Sequence, residues 1–167
     1  MKTTIAVLAT LALASPPKPH PTLKPVVNYT LRVDSTDLSG WDVEIRLGTV
    51  THTFRLAMAA HQEYDDRFFR NVRKFSVEPG SALVTRVDSS VWQVVTPKGD
   101  VRVRYRIAVP AEQLPRAAWK PFLTPTGGLL GGPHAFMYLV GAERMPVTVT
   151  LELPASWRVA TGLERTR

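Results

Sequence analysis

The run Val101-Arg102-Val103-Arg104-Tyr105-Arg106-Ile107 alternates apolar and basic residues without a break. On a helix such an order would scatter both classes around the axis. On a strand it puts Val101, Val103, Tyr105 and Ile107 on one face and the three arginines on the other, because successive side chains point to opposite sides. This segment can bury its apolar residues only as one strand of a sheet with a dry face and a wet one. The arginine face is expected to be solvated, as one face of an antiparallel sheet commonly is.

The same period runs along most of the chain. Tyr29, Leu31 and Val33 alternate with Thr30 and Arg32; Asp34 to Gly40 carries turn residues; Trp41, Val43, Ile45 and Leu47 resume the alternation. These read as two strands of one hairpin. Further strands are expected over Thr51–Met58 and Phe75–Glu78, then after the Glu78-Pro79-Gly80-Ser81 turn over Ala82–Val87. Thr96-Pro97-Lys98-Gly99, with Pro second and Gly fourth, reads as the turn of a hairpin between Val91–Val95 and Val101–Val109. A last hairpin is expected from Ala135–Val140 and Val147–Leu153 about a turn at Gly141–Arg144. Between Pro110 and Pro133 regular patterning lapses among prolines and glycines, which predicts one long loop. The fold class expected is all-β: an antiparallel β-sandwich of short strands and hairpins with one long Pro/Gly-rich loop. Trp41 and Trp92 fall inside strands and are expected in its core.

The N-terminus follows different rules. Lys2 precedes an apolar stretch from Ile5 to Leu13 that ends in Ala12-Leu13-Ala14, the pattern of an export signal cleaved after Ala14. The stretch is too short for a membrane span, which needs about 20 apolar residues. Residues 15–25, with prolines at 16, 17, 19, 21 and 25, favour extended polyproline geometry and read as a linker. The division expected is a signal peptide at 1–14, a linker at 15–25, a β-sandwich domain at 26–163 and a tail at 164–167. The mature form is then an exported protein, periplasmic or extracellular, without a transmembrane segment.

The chain has no cysteine, which excludes disulfides, thiol catalysis and thiolate metal sites. Its formal net charge of +7 comes from basic residues spread along the sequence rather than gathered in one run. Such a distribution favours solubility over nucleic-acid binding, and no nucleic-acid partner is expected.

The sequence carries no recognisable catalytic constellation. Zinc-peptidase chemistry needs H-E-x-x-H, two ligands a helical turn apart with a base between them. The histidines 20, 52, 61 and 134 do not form it, and His61-Gln62-Glu63 lacks the second histidine. There is no G-x-S-x-G, and the glycines of Gly127–Gly132 lack the Lys-Ser/Thr of a phosphate loop. Glu63, Asp65 and Asp66 read as a polar loop, since neighbours in sequence do not oppose one another across a cleft. No catalytic residue, metal ligand or cofactor is expected. The residues singled out as a contact surface are Trp119, Phe122 and His134, in the long loop, because binding residues concentrate on loops held by a rigid scaffold. They would hold a peptide, a glycan or a partner protein.

Several landmarks, taken together, resemble a known family: Tyr29-Thr30-Leu31, then Arg67-Phe68-Phe69-Arg70-Asn71-Val72, then Val91-Trp92-Gln93-Val94. The end carries most of the likeness, with Met145-Pro146 through Leu153-Pro154-Ala155-Ser156-Trp157 followed by Ala160-Thr161-Gly162-Leu163. This order is similar to the N-terminal domain of the glycyl aminopeptidase family of metallopeptidases, over about Val27 to Leu163. In that family a β-rich domain precedes a thermolysin-like zinc domain that carries H-E-x-x-H. The chain departs from the family's W-x-P-G-x-Y segment, reading Ala59-Ala60-His61-Gln62-Glu63-Tyr64 there. The resemblance implies a non-catalytic accessory domain, either a fragment or a free-standing relative, with a peptidase catalytic domain or a peptide or protein ligand as partner. It carries over no catalytic residue.

Overall fold

The computed structural model of the chain describes residues 27–50, 52–60, 67–97, 99–109 and 120–165. The expected signal peptide and linker lie outside these residues, as do Trp119, His61 and the acidic group at Glu63, Asp65 and Asp66. The strands are β1 (Val27–Asp34), β2 (Asp37–Val50), β3 (Thr53–Met58), β4 (Val72–Glu78), β5 (Leu83–Asp88), β6 (Val91–Val95), β7 (Gly99–Ala108), β8 (Phe122–Thr124), β9 (Gly127–Leu129), β10 (Met137–Leu139) and β11 (Val147–Glu152). A 3-10 helix, Phe68–Asn71, precedes β4, and a single helical turn, α1 (Gly132–Ala135), precedes β10. No helix among the described residues is long and apolar enough to cross a membrane.

Two sheets form the expected sandwich. The larger has the order β11-β1-β2-β7-β4 and the smaller β10-β3-β6-β5. All pairings are antiparallel except β1 with β11, which run parallel from Val27 opposite Val147 to Arg32 opposite Glu152. Alternation explains why the sheets face each other. Val27, Tyr29, Leu31 and Val33 of β1 are buried with Trp41, Val43, Ile45 and Leu47 of β2, and with Val101, Val103, Tyr105 and Ile107 of β7. From the smaller sheet Phe54, Leu56, Met58, Trp92 and Val94 meet them. Each fully buried large side chain of this set contributes roughly 1.5–3 kcal/mol relative to exposure. Trp41 and Trp92 lie in this core as expected, and the β1–β2 hairpin forms.

Strand pairing departs from the sequence reading at three places. Thr96 to Gly99 does not turn a hairpin: β6 belongs to the smaller sheet and β7 to the larger, so the segment carries the chain across the sandwich. The hairpin partner of β6 is β5, through the Asp88-Ser89-Ser90 turn, where Asp88 Oδ1 accepts from the Ser89 hydroxyl at 2.9 Å. The last two strands are not a hairpin either. β10 pairs with β3 and β11 with β1, at the same edge of the two sheets. A type I turn signal fixes the local chain direction but not the partner. Trp92 and Val94 face the same core as Val101 and Val103, from the opposite side, and that common burial separates β6 from β7. Third, the stretch expected as one long loop contains the β8–β9 hairpin and α1. There Gly128 sits so close to β8 that a Cβ on it would lie 2.6 Å from the Phe122 carbonyl oxygen.

Candidate functional site

The inner lining of the sandwich is closed by two tyrosines. Tyr105, from the middle of β7, donates its hydroxyl to the Ala135 carbonyl at 2.8 Å and accepts the Met137 N–H at 3.0 Å. Tyr29, from β1, donates to the Met137 carbonyl at 2.7 Å. The larger sheet thus reaches across the core and bonds the backbone at Ala135 and Met137, where α1 leads into β10. Burial disfavours the phenolates, pushing Tyr29 up to about 12 and Tyr105 higher still. Both stay neutral donors at any physiological pH.

On the outer face of the larger sheet the arginines of β7 do not stand free in solvent. Glu44 Oε2 takes Arg104 Nε at 2.9 Å, and Oε1 takes Arg46 Nε at 2.6 Å. Glu78 accepts from Arg102 at 3.1 Å and also from Arg104. Arg106 spans Asp42 at 3.0 Å and Asp37 at 2.7 Å, and Arg32 of β1 meets Glu152 of β11 at 2.6 Å. Partial burial pushes the Glu44 carboxyl up, but the bonds from Arg46 and Arg104 outweigh it, and Glu44 sits below the usual carboxylate range. A cleft of about 340 Å³ runs over this ladder, lined among others by Thr30, Glu44, Lys74, Ser76 and Arg104. The arrangement is two groups of partly exposed ion pairs, one joining β1 to β11 and the other joining β2, β7 and β4. Pairs of this kind contribute about 0–1 kcal/mol each. It holds no nucleophile with an adjacent base and no opposed acid and base.

The residues expected as a contact surface separate. Trp119 lies outside the described residues, Phe122 is half-buried on β8, and His134 is buried in α1 with its ring centroid 4.3 Å from that of Phe68. His52 Nδ1 lies 3.0 Å from the Thr96 carbonyl oxygen. Among the described residues no three His, Asp or Glu side chains gather as metal ligands would.

What the sequence reading missed is the opposite long side of the sandwich, where β4 and β5 are the edge strands of their sheets. Phe69 of the 3-10 helix is buried there, with the Arg70 guanidinium 5.9 Å and the Arg86 guanidinium 6.0 Å from its ring centre. Arg86 also lies 4.7 Å over the Trp92 ring, which stacks on Phe75 at 5.6 Å. The signal in the sequence was the spacing of Arg67, Arg70, Arg73 and Lys74 with no acid between Arg67 and Glu78.

Comparison with known proteins accords with this anatomy. In a crystal structure of an aminopeptidase N family protein from Idiomarina loihiensis, a matching region superposes with a TM-score of 0.71 at 19% sequence identity. The match covers 84% of this chain and 25% of that one, so the chain spans about a quarter of that protein's length. At this identity the likeness concerns the fold. No curated protein matches the chain. The family model of the peptidase M61 N-terminal domain matches residues 28–167, from the first residues of β1 through the segment after β11. The chain therefore belongs to the peptidase M61 N-terminal domain family.

Proposed function

We propose that this protein is the non-catalytic accessory domain of an exported, glycyl-aminopeptidase-like zinc metallopeptidase, whose catalytic domain is its partner. The observation that carries the reading is the family match over nearly the whole sandwich, residues 28–167. The chemistry agrees with it: the outer-face arginines of β7 are held in ion pairs, Tyr29 and Tyr105 hold backbone groups, and the sequence contains no H-E-x-x-H. The apolar stretch before Ala14 supports export, with the mature chain starting at Ser15.

The role is structural and presentational: a rigid, independently packed sandwich held against the catalytic domain. The test is to mix the purified protein with the zinc domain of an M61 peptidase made without its own N-terminal domain. A complex on gel filtration, together with a rise in the zinc domain's thermal stability, is the expected result. Two components that elute separately at all concentrations tested, with unchanged melting, would refute the reading. Intact-mass analysis of the protein recovered from an expression host's periplasm checks the export step, and loss of residues 1–14 is expected.

A further inference from the structure

The ion pairs of this protein are distributed unevenly. On the outer face of the larger sheet Arg32, Arg46, Arg102, Arg104 and Arg106 each meet a carboxylate. At the β4–β5 side, Arg70, Arg73 and Arg86 form no ion pair among the described residues, while Lys74 of β4 lines the outer-face cleft. Arg73 donates to the Arg70 and Val72 carbonyls at 2.6 and 3.0 Å, and Arg86 to the Ser89 carbonyl and, at 3.4 Å, the Phe69 carbonyl. The acid beside Arg86, Asp88, is engaged by the Ser89 hydroxyl and the Ser90 N–H. Lys74 sits at a bulge of β4 with φ 52°, in the left-handed region that a side chain rarely adopts.

Beside these cations lies a strand edge that no described strand pairs. β5 is the edge of the smaller sheet, all six of its residues are exposed, and Leu83, at 69%, is the most exposed large apolar side chain of the described residues. Val84 and Val87 on the same strand are exposed as well. An edge of this length with apolar side chains and unpaired backbone groups is a template for another strand unless something blocks it. Here Arg70, Arg73 and Arg86 outnumber Asp88, the acid of β5, so the edge repels basic segments and attracts acidic ones.

We propose that the β4–β5 side is a docking surface for an extended acidic polypeptide segment, which adds as a strand to β5 and places its carboxylates against Arg70, Arg73 and Arg86. Strand addition supplies main-chain hydrogen bonds and the cation cluster supplies selectivity. A polypeptide fits better than a sulfated glycan or a nucleic acid because the exposed Leu83, Val84 and Val87 offer apolar contact and the edge offers amide partners. The inference goes beyond the peptidase reading and does not depend on it.

The test uses the whole protein and a fluorescein-labelled peptide of repeating Glu-Val-Thr-Val, read by anisotropy. Three probes are compared: this peptide, its Glu→Gln form, and a form N-methylated at alternate residues. Saturable binding of the first is expected, with a loss of about tenfold or more for each of the others. Arg70→Glu should weaken binding by a similar factor, since its guanidinium holds no hydrogen bond that the fold needs. Arg144→Glu makes the same change of net charge in the link between β10 and β11, at the opposite edge, and should leave binding unchanged. Equal losses from Arg70→Glu and Arg144→Glu, undiminished binding of the N-methylated peptide, or binding of heparin but not of the peptide would each overturn the proposal. A protein that forms a complex with the M61 zinc domain yet binds no acidic peptide refutes this inference alone.

Discussion

The hydroxyl of Tyr105 accepts the Met137 N–H at 3.0 Å while donating to Ala135, so one side chain of the larger sheet completes the backbone of the smaller sheet's edge. Both groups are buried, on residues that are themselves fully enclosed. The α1–β10 link is thereby fixed against β7, and with it the position of β10 on β3.

Replacing Tyr105 with Phe leaves a buried N–H and a buried carbonyl unpaired, each costing about 1–3 kcal/mol. The expected loss in a urea titration is about 2–4 kcal/mol, with the m-value unchanged. Tyr29→Phe unpairs one carbonyl and should cost about 1–2 kcal/mol. Equal, small losses for the two variants would contradict the asymmetry.

Alkaline pH should act through the same pair. Each phenol has a folded-state pKa above its unfolded value of 10.0. Their contribution is therefore complete below about pH 10 and is lost as pH rises toward and through the folded values, about 12 for Tyr29 and higher for Tyr105. Stability measured from pH 8 to 12 should fall steeply above about 10, and the fall should be shallower in Tyr105→Phe. A flat profile in the native sequence would count against burial of these rings.

The acid side is governed by the ladder. Glu44 lies below its ordinary value of 4.5, so its contribution is present above that value and is lost as pH falls through the folded one. Glu44→Gln should lower stability at pH 7 by less than about 1 kcal/mol, because the pairs are exposed, and should flatten the acid limb between about pH 5 and 3. High salt should erase most of the difference at pH 7.

Gly40 tests the close approach of β2 and β7. A Cβ there would lie 2.2 Å from the Ile107 carbonyl oxygen, a backbone atom that cannot move aside without breaking the ladder. Gly40→Ala should destabilise by about 3 kcal/mol. Gly80→Ala, where a Cβ meets nothing within 4 Å, should change stability little. Chemical denaturation of the two variants side by side checks the contrast.

Strand identity was legible because alternation marks which residues share a face: Tyr29, Leu31 and Val33, or Val101, Val103 and Tyr105, could be read from spacing alone. Pairing was not, because it depends on what covers each face. Thr96-Pro97-Lys98-Gly99 has good turn chemistry, yet Trp92 and Tyr105 approach one core from opposite sheets. The arginine face of β7 was legible as outward, while its carboxylates were not, since Arg102, Arg104 and Arg106 meet acids 24 to 69 residues away. His134 read as a loop residue because only the tertiary fold shows α1 packed on Phe68. The basic group about Phe69 was present in the sequence as spacing but became a surface only when Arg86 arrived from β5.

As the accessory domain of a zinc peptidase, the protein is expected to supply no peptidase chemistry of its own. The most direct measurement is release of p-nitroaniline from glycyl-p-nitroanilide by the purified protein, with zinc added and then chelated. No release above the buffer rate is predicted under either condition. Release that requires zinc and copurifies with the protein through successive columns would contradict the claim.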